Sequence, residues 1–194
     1  MANICSNDYH FIFSDEEKAK KFLTFVETSS NDGCSVYEMG IKANIKDAEN
    51  RDVREWVENA YVVSPTAPNK IGVMTNSKWT PCPNAWEDIA KTFDENVIVY
   101  YEAEEPGCEI YASNDPDYIG HFIIDVCDDS NFPEGVDLEW GPHSRVETIS
   151  ALQKLLETDD DNMSVLLYKL GNSKYSEDVY VHEIEYTPIS DWAL

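Results

Sequence analysis

Residues 9–26 read YHFIFSDEEKAKKFLTFV, and this stretch decides the fold class. Tyr9–Phe13 is short, aromatic and β-branched, which is strand composition. Ser14-Asp15-Glu16-Glu17 then reads as a capping box, with the Ser14 hydroxyl accepting from the third helical amide and Glu17 reaching back. Ala19, Phe22, Leu23 and Val26 follow at helical spacing as one apolar stripe. The spacing predicts a helix over about 15–28, entered directly from a strand.

Working outward, two more helix starts carry the same device. Asn84-Ala85-Trp86-Glu87, after Pro81 and Pro83, opens a helix over about 84–94 with Trp86, Ile89, Ala90 and Phe93 on its stripe. Ser144-Arg145-Val146-Glu147 opens another over about 145–157, and a further helical turn is expected near Met163–Leu170. Strands are expected at Tyr61–Val63, Ile71–Met74, Val97–Tyr101, Cys108–Ala112, Tyr118–Cys127, Val136–Trp140 and Val179–Tyr186. The turn residues Pro106-Gly107 join two of these runs as a hairpin, and the imperfect alternation of Val179–Tyr186 suits an edge strand. The order strand, helix, strand, strand, helix, strand over 9–101 is that of a ferredoxin-like split β-α-β unit. The expected class is therefore α+β: an antiparallel sheet with helices on one face, extended by C-terminal strands and a helix. With no repeat and no long linker, residues 1–194 read as one domain, with 126–194 an acidic extension packed on the core.

The charge is uneven along the chain. Residues 1–94 carry 15 acidic and 10 basic side chains; residues 95–194 carry 23 acidic and 4 basic, so −19 of the net −24 lies in the second half. With 42% hydrophobic residues, 5 Trp, 11 Tyr and 7 Phe, the acidity is not that of a disordered chain. It repels nucleic acid and anionic membrane and attracts basic surfaces. No run of 18 apolar residues and no signal-like N-terminus is present, so a cytoplasmic protein is expected. Cys5, Cys34, Cys82, Cys108 and Cys127 are odd in number and widely spaced, which supports neither a disulfide framework nor a zinc site.

Two blocks carry a family resemblance. Met1-Ala2-Asn3-Ile4-Cys5-Ser6-Asn7 runs straight into a strand and a helix. Lys78-Trp79-Thr80-Pro81-Cys82-Pro83 precedes an amphipathic helix ending at Phe93, followed by Tyr100-Tyr101-Glu102 and Glu105-Pro106-Gly107. Over residues 1–125 the chain resembles the Api-type phage and plasmid proteins. The resemblance implies a ferredoxin-like domain carried on a mobile element; it assigns no activity and no catalytic residue. Two extra residues between Tyr101 and Pro-Gly, and Tyr111-Ala112 in place of a glycine-rich segment, depart from the pattern.

Residue chemistry offers few candidates. Cys5 with His10 as base would be a nucleophile pair, but nothing completes a triad, and packing of Cys5 with an Asx turn at Asn7 explains both residues. Trp79 and Trp86 either line an aromatic pocket or anchor a core. His10, His121, His143 and His182 show no metal spacing, and Asp159-Asp160-Asp161-Asn162 fails as a calcium loop because its twelfth position is Leu170. Neither a catalytic residue, a metal nor a cofactor is assigned. The excess of charge points instead to a non-enzymatic binding protein that docks on a basic, nucleic-acid-binding surface of a host protein. Its candidate face is Glu102, Glu104, Glu105, Glu109, Asp115, Asp117, Asp125, Asp128 and Asp129, an interval without Lys or Arg. An oligomerising ferredoxin-like module with incidental acidity is the alternative, and a divalent-metal carboxylate hydrolase the second.

Overall fold

The computed structural model describes residues 4–46, 48, 54–136, 138 and 141–192. The chain divides into two compact units, Met1–Asp115 with Tyr186–Leu194, and Pro116–Glu185. One α+β unit with a boundary at 125 was expected; the division falls earlier, and the chain returns to the first unit at Tyr186.

In the first unit, β1 (Ile4–Ile12), α1 (Glu16–Asn31), α2 (Val36–Lys42), β2 (Glu55–Ser64), β3 (Ala67–Lys78), α3 (Pro83–Lys91), β4 (Ile98–Glu105) and β5 (Ile110–Ser113) follow in order. The sheet runs β2-β3-β1-β4-β5, with the two-residue β9 (Glu185–Tyr186) at its edge. The pairs β1–β3, β1–β4, β2–β3 and β4–β5 are all antiparallel, so the first four strands have the ferredoxin-like order. The hairpin at Pro106-Gly107 forms as expected, with Glu105 opposite Ile110. Strict alternation along β1 buries Cys5, Asn7, Tyr9, Phe11 and Phe13 and leaves Ile4, Ser6, Asp8, His10 and Ile12 on the other face. Onto the buried face pack Ala19, Phe22 and Val26 of α1, Val36 and Met39 of α2, and Ala85, Trp86, Ile89 and Ala90 of α3. Phe22 lies 4.7 Å from Phe11 and 5.1 Å from Phe13, centroid to centroid, within the range of favourable ring contacts.

Two capping expectations are corrected. The N-cap of α1 is Asp15, whose carboxylate accepts from Lys18 N; the Ser14 amide instead donates to Asp94 Oδ2 at 2.7 Å. Asp94, its side chain fully shielded, also holds Lys18 Nζ at 3.0 Å and is lowered from the usual carboxylate range chiefly by the Ser14 amide. At α3 the N-cap is Cys82 with no side-chain cap, because Asn84 is already inside the helix and donates its amide to Trp192 O at 2.8 Å. The unanticipated α2 carries a full capping box, Ser35 with Glu38. Trp192 Nε1 donates to the Tyr101 hydroxyl, and that hydroxyl donates to Thr187 O at 2.7 Å. These contacts fasten residues 187–192 to the first unit.

The second unit holds β6 (His121–Val126), β7 (Pro142–Ser144), α4 (Arg145–Leu156), α5 (Met163–Gly171) and β8 (Val179–Glu183). Its sheet runs β7-β6-β8, which places β8 at an edge as the alternation suggested. The Ser144–Glu147 capping box opens α4 as expected. Phe122 and Ile124 meet Leu152, Leu155, Met163, Leu166 and Leu170 in a separate core. The strand expected at Val136–Trp140 falls in part outside the described residues. Among the described residues no helix is long and apolar enough to cross a membrane.

Candidate functional site

The larger unit holds a polar strip inside its apolar core. β1 points Cys5 and Asn7 inward, and antiparallel register sets Asn7 opposite Thr75 and Cys5 opposite Ser77. The Asn7 amide donates to Thr75 Oγ1 and Ser77 Oγ, both at 3.1 Å, while the Cys5 thiol donates to Asn7 Oδ1 at 3.2 Å. Glu55, at the start of β2 and facing Ser77, is fully buried. Its Oε1 accepts from Trp86 Nε1 at 2.8 Å and from the Thr75 hydroxyl; its Oε2 accepts from the Cys82 amide at 3.2 Å and the Tyr9 hydroxyl at 3.4 Å. Burial raises the Glu55 carboxyl above the ordinary range, and the four donors pull it back.

Each Glu55 oxygen is thus engaged by two donors of the protein itself. The group ties β1, β2 and β3 to the start of α3. That helix has neither a capping side chain nor an acid in its first turn, and Glu55 places a carboxylate there from another strand. Sequence reasoning passed over Glu55, because a carboxylate in Arg54-Glu55-Trp56 looks like a solvated strand position until the register is known.

The earlier candidates separate. Cys5 faces the core, with burial pushing its thiol up to about 12, whereas His10 stands on the opposite face of the same strand. They are not a nucleophile and base. Trp86 is a fully buried core anchor, but Trp79 is 56% exposed and holds a φ of 77°, so the two play different parts. None of the five cysteines forms a disulfide. Among the described residues no group of three or more His, Cys, Asp or Glu is arranged to hold a metal ion.

The nine acidic candidates are divided between the units. Glu102 and Glu104 lie half-buried on β4; Glu105 is buried at its end and offers no surface; Glu109 is exposed at a left-handed turn position; Asp115 is half-buried after β5. In the second unit, Asp117, Asp128 and Asp129 are exposed, and Asp125 lies 3.7 Å from His182 Nε2. Asp128 accepts from the Ser130 amide at 2.8 Å, which lowers its pKa. The fold also redistributes the charge. The first unit carries 22 acidic and 10 basic residues and the second 16 and 4, a net −12 in each. The contrast between chain halves becomes a contrast of density, because the second unit reaches −12 over 70 residues and the first over 124.

No protein-family model matches the chain, and no curated protein and no solved structure is significantly similar to it.

Proposed function

We propose that this chain is a non-enzymatic binding protein whose acidic surface docks on a basic, nucleic-acid-binding surface of another protein, as a mimic of nucleic acid or an inhibitor. One observation carries the reading: eight of the nine acids between 102 and 129 are at least partly exposed, in an interval without Lys or Arg. A net −12 in each compact unit exceeds the magnitude of roughly 2–8 that solubility asks of a small domain. The excess costs stability by self-repulsion, which a partner's positive charge would relieve. The resemblance to Api-type proteins supports a mobile-element setting, in which the partner belongs to the host.

The test is displacement of duplex DNA from lysine-rich histones by the purified chain. Release at about 50 mM salt that fades as salt rises toward about 300 mM supports the reading, since the Debye length shortens over that range. No release at low salt, or release indifferent to salt, ends it. The second reading, self-association, is favoured by Ile4, Trp56, Met74 and Ile98, which are 53, 42, 41 and 50% exposed on the larger unit. Light scattering that gives a salt-independent dimer would favour it.

A further inference from the structure

The geometry points to the outer face of the larger sheet, the one turned from α1–α3, as the seat of an extended arginine-rich segment of the partner. This inference rests on the reading above and names the surface and the chemistry that surface accepts.

The face is built by the even positions of β1 and their neighbours in register. Asp8 lies between Met74 and Glu102, and His10 between Gly72 and Tyr100. Ser6 lies opposite Glu104 on one side and Asn76 on the other, and Asn76 in turn pairs with Trp56. Tyr61 pairs with Gly72, where an added Cβ would sit 2.5 Å from the Tyr61 ring; glycine therefore lets that ring lie across the neighbouring strand. The sheet thus presents aromatic and aliphatic side chains interleaved with carboxylates, with Ile4, Trp56, Met74 and Ile98 exposed. An ordinary solvated face of an antiparallel sheet is predominantly polar.

This mixture selects its occupant. Aromatic faces beside carboxylates suit a cation on an apolar stem: the head group meets ring and carboxylate while the stem covers the aliphatic residues. The face already does this once, since Lys78 Nζ stands 5.7 Å from the centroid of the Trp56 ring. Guanidinium suits it better than ammonium, because it stacks on rings and engages a carboxylate with two parallel donors. Asp8 adds a demand for donors. Its Oδ1 is inaccessible yet lacks a hydrogen-bond partner among the described residues, and His10 Nε2 stands 3.7 Å from Oδ2. A donor that reaches Oδ1 after a neighbouring side chain shifts meets an oxygen already stripped of water. Nucleic acid is repelled, and a second copy would bring another −24 against this one.

The experiment uses the full chain and a fluorescent arginine decapeptide, read by anisotropy at about 50 mM salt. A charge-neutral pair, Trp56→Ser with Tyr100→Ser, is expected to weaken binding about tenfold. Glu102→Gln with Glu104→Gln is expected to weaken it at least as much. Asp159→Asn with Asp161→Asn, the same charge change at exposed positions of the second unit, is expected to stay within about twofold. Amide chemical-shift changes in the wild type should cluster on β1–β4, which keeps the test alive if a variant unfolds. Wild-type protein that does not bind overturns both the face and the reading beneath it. Binding that is indifferent to the aromatic pair, and as sensitive to 159 and 161 as to 102 and 104, overturns the face alone. A dimer that the aromatic pair converts to monomer gives the face to a second copy and overturns the inference.

Discussion

The two faces of the larger sheet treat the same chemical group in opposite ways. On the inner face Glu55 is fully buried and accepts four hydrogen bonds from Tyr9, Thr75, Cys82 and Trp86. On the outer face Asp8 is about a third exposed, has His10 at 3.7 Å, and leaves one oxygen without a hydrogen-bond partner among the described residues. Burial raises the pKa of both. The difference lies in what surrounds each carboxyl. Glu55 meets a preformed set of donors that satisfies a buried carboxyl, the condition under which such a polar group is tolerated. Asp8 meets Glu102, Met74 and a weakly placed histidine, an arrangement that leaves acceptor capacity over. The inner carboxylate is therefore structural, and the outer one belongs to a surface with capacity for a cation.

The largest expected break comes from Trp86→Ala. It empties a fully buried site in the aromatic core and removes one of Glu55's donors. The loss should be about 3–5 kcal/mol in urea unfolding. A loss below about 1 kcal/mol would mean that the core closes over the gap and that Glu55 does not depend on the indole. Glu55→Gln is gentler, because the side chain keeps its shape but turns one acceptor into a donor facing donors. It should cost about 1–3 kcal/mol.

The same variant carries a pH signature. The carboxyl of Glu55 is raised in the fold above its unfolded value of roughly 4.3. Its contribution is complete below the unfolded pKa and is lost as pH rises through the folded one. Glutamine does not titrate, so the advantage of the wild type over Glu55→Gln should widen from about pH 8 to about pH 5. Asp94 works the other way: its pKa is lowered, so its contribution holds above the unfolded pKa and fades as pH falls through the folded one. The comparison with Glu55→Gln cancels Asp94, which both proteins retain. A gap that is flat with pH would show that folding does not raise the Glu55 pKa into that range.

The inner face was partly legible in the sequence and the outer face was not. Tyr9, Phe11 and Phe13 in alternation, followed by Ala19, Phe22 and Val26 at helical spacing, are local patterns that tertiary structure had only to bring together. Strand composition is evident only from Tyr9, whereas β1 begins at Ile4, because Cys5 and Asn7 do not look like core residues until Thr75 and Ser77 are opposite them. The α2 helix was missed although Ser35 and Glu38 had the spacing of a capping box; at seven residues its stripe is too short to stand out. The division at Asp115 was illegible because it depends on the chain coming back at Tyr186 to pair with a distant strand. Along the acidic interval, sequence density could not tell exposed Glu109 from buried Glu105, four residues away. Trp56 entered no motif and Met74 only closed an expected strand, since register alone puts Met74 opposite Asp8 and Trp56 opposite Asn76.

The smallest expected effect is the one that most sharpens the contrast. Asp8→Asn should change stability by no more than about 0.5 kcal/mol, with a slight gain at neutral pH the favoured direction. The reason is electrostatic. Asp8 faces Glu102 on the paired strand β4, burial already disfavours its charge, and His10 at 3.7 Å repays little when neutral. Removing that charge relieves repulsion and desolvation together, whereas at Glu55 four donors converge on the two carboxyl oxygens. The same substitution should weaken the arginine decapeptide, so stability and binding move apart at Asp8. A destabilisation above about 1 kcal/mol would instead make Asp8 a second internal keystone. The two faces would then differ in exposure alone and not in kind.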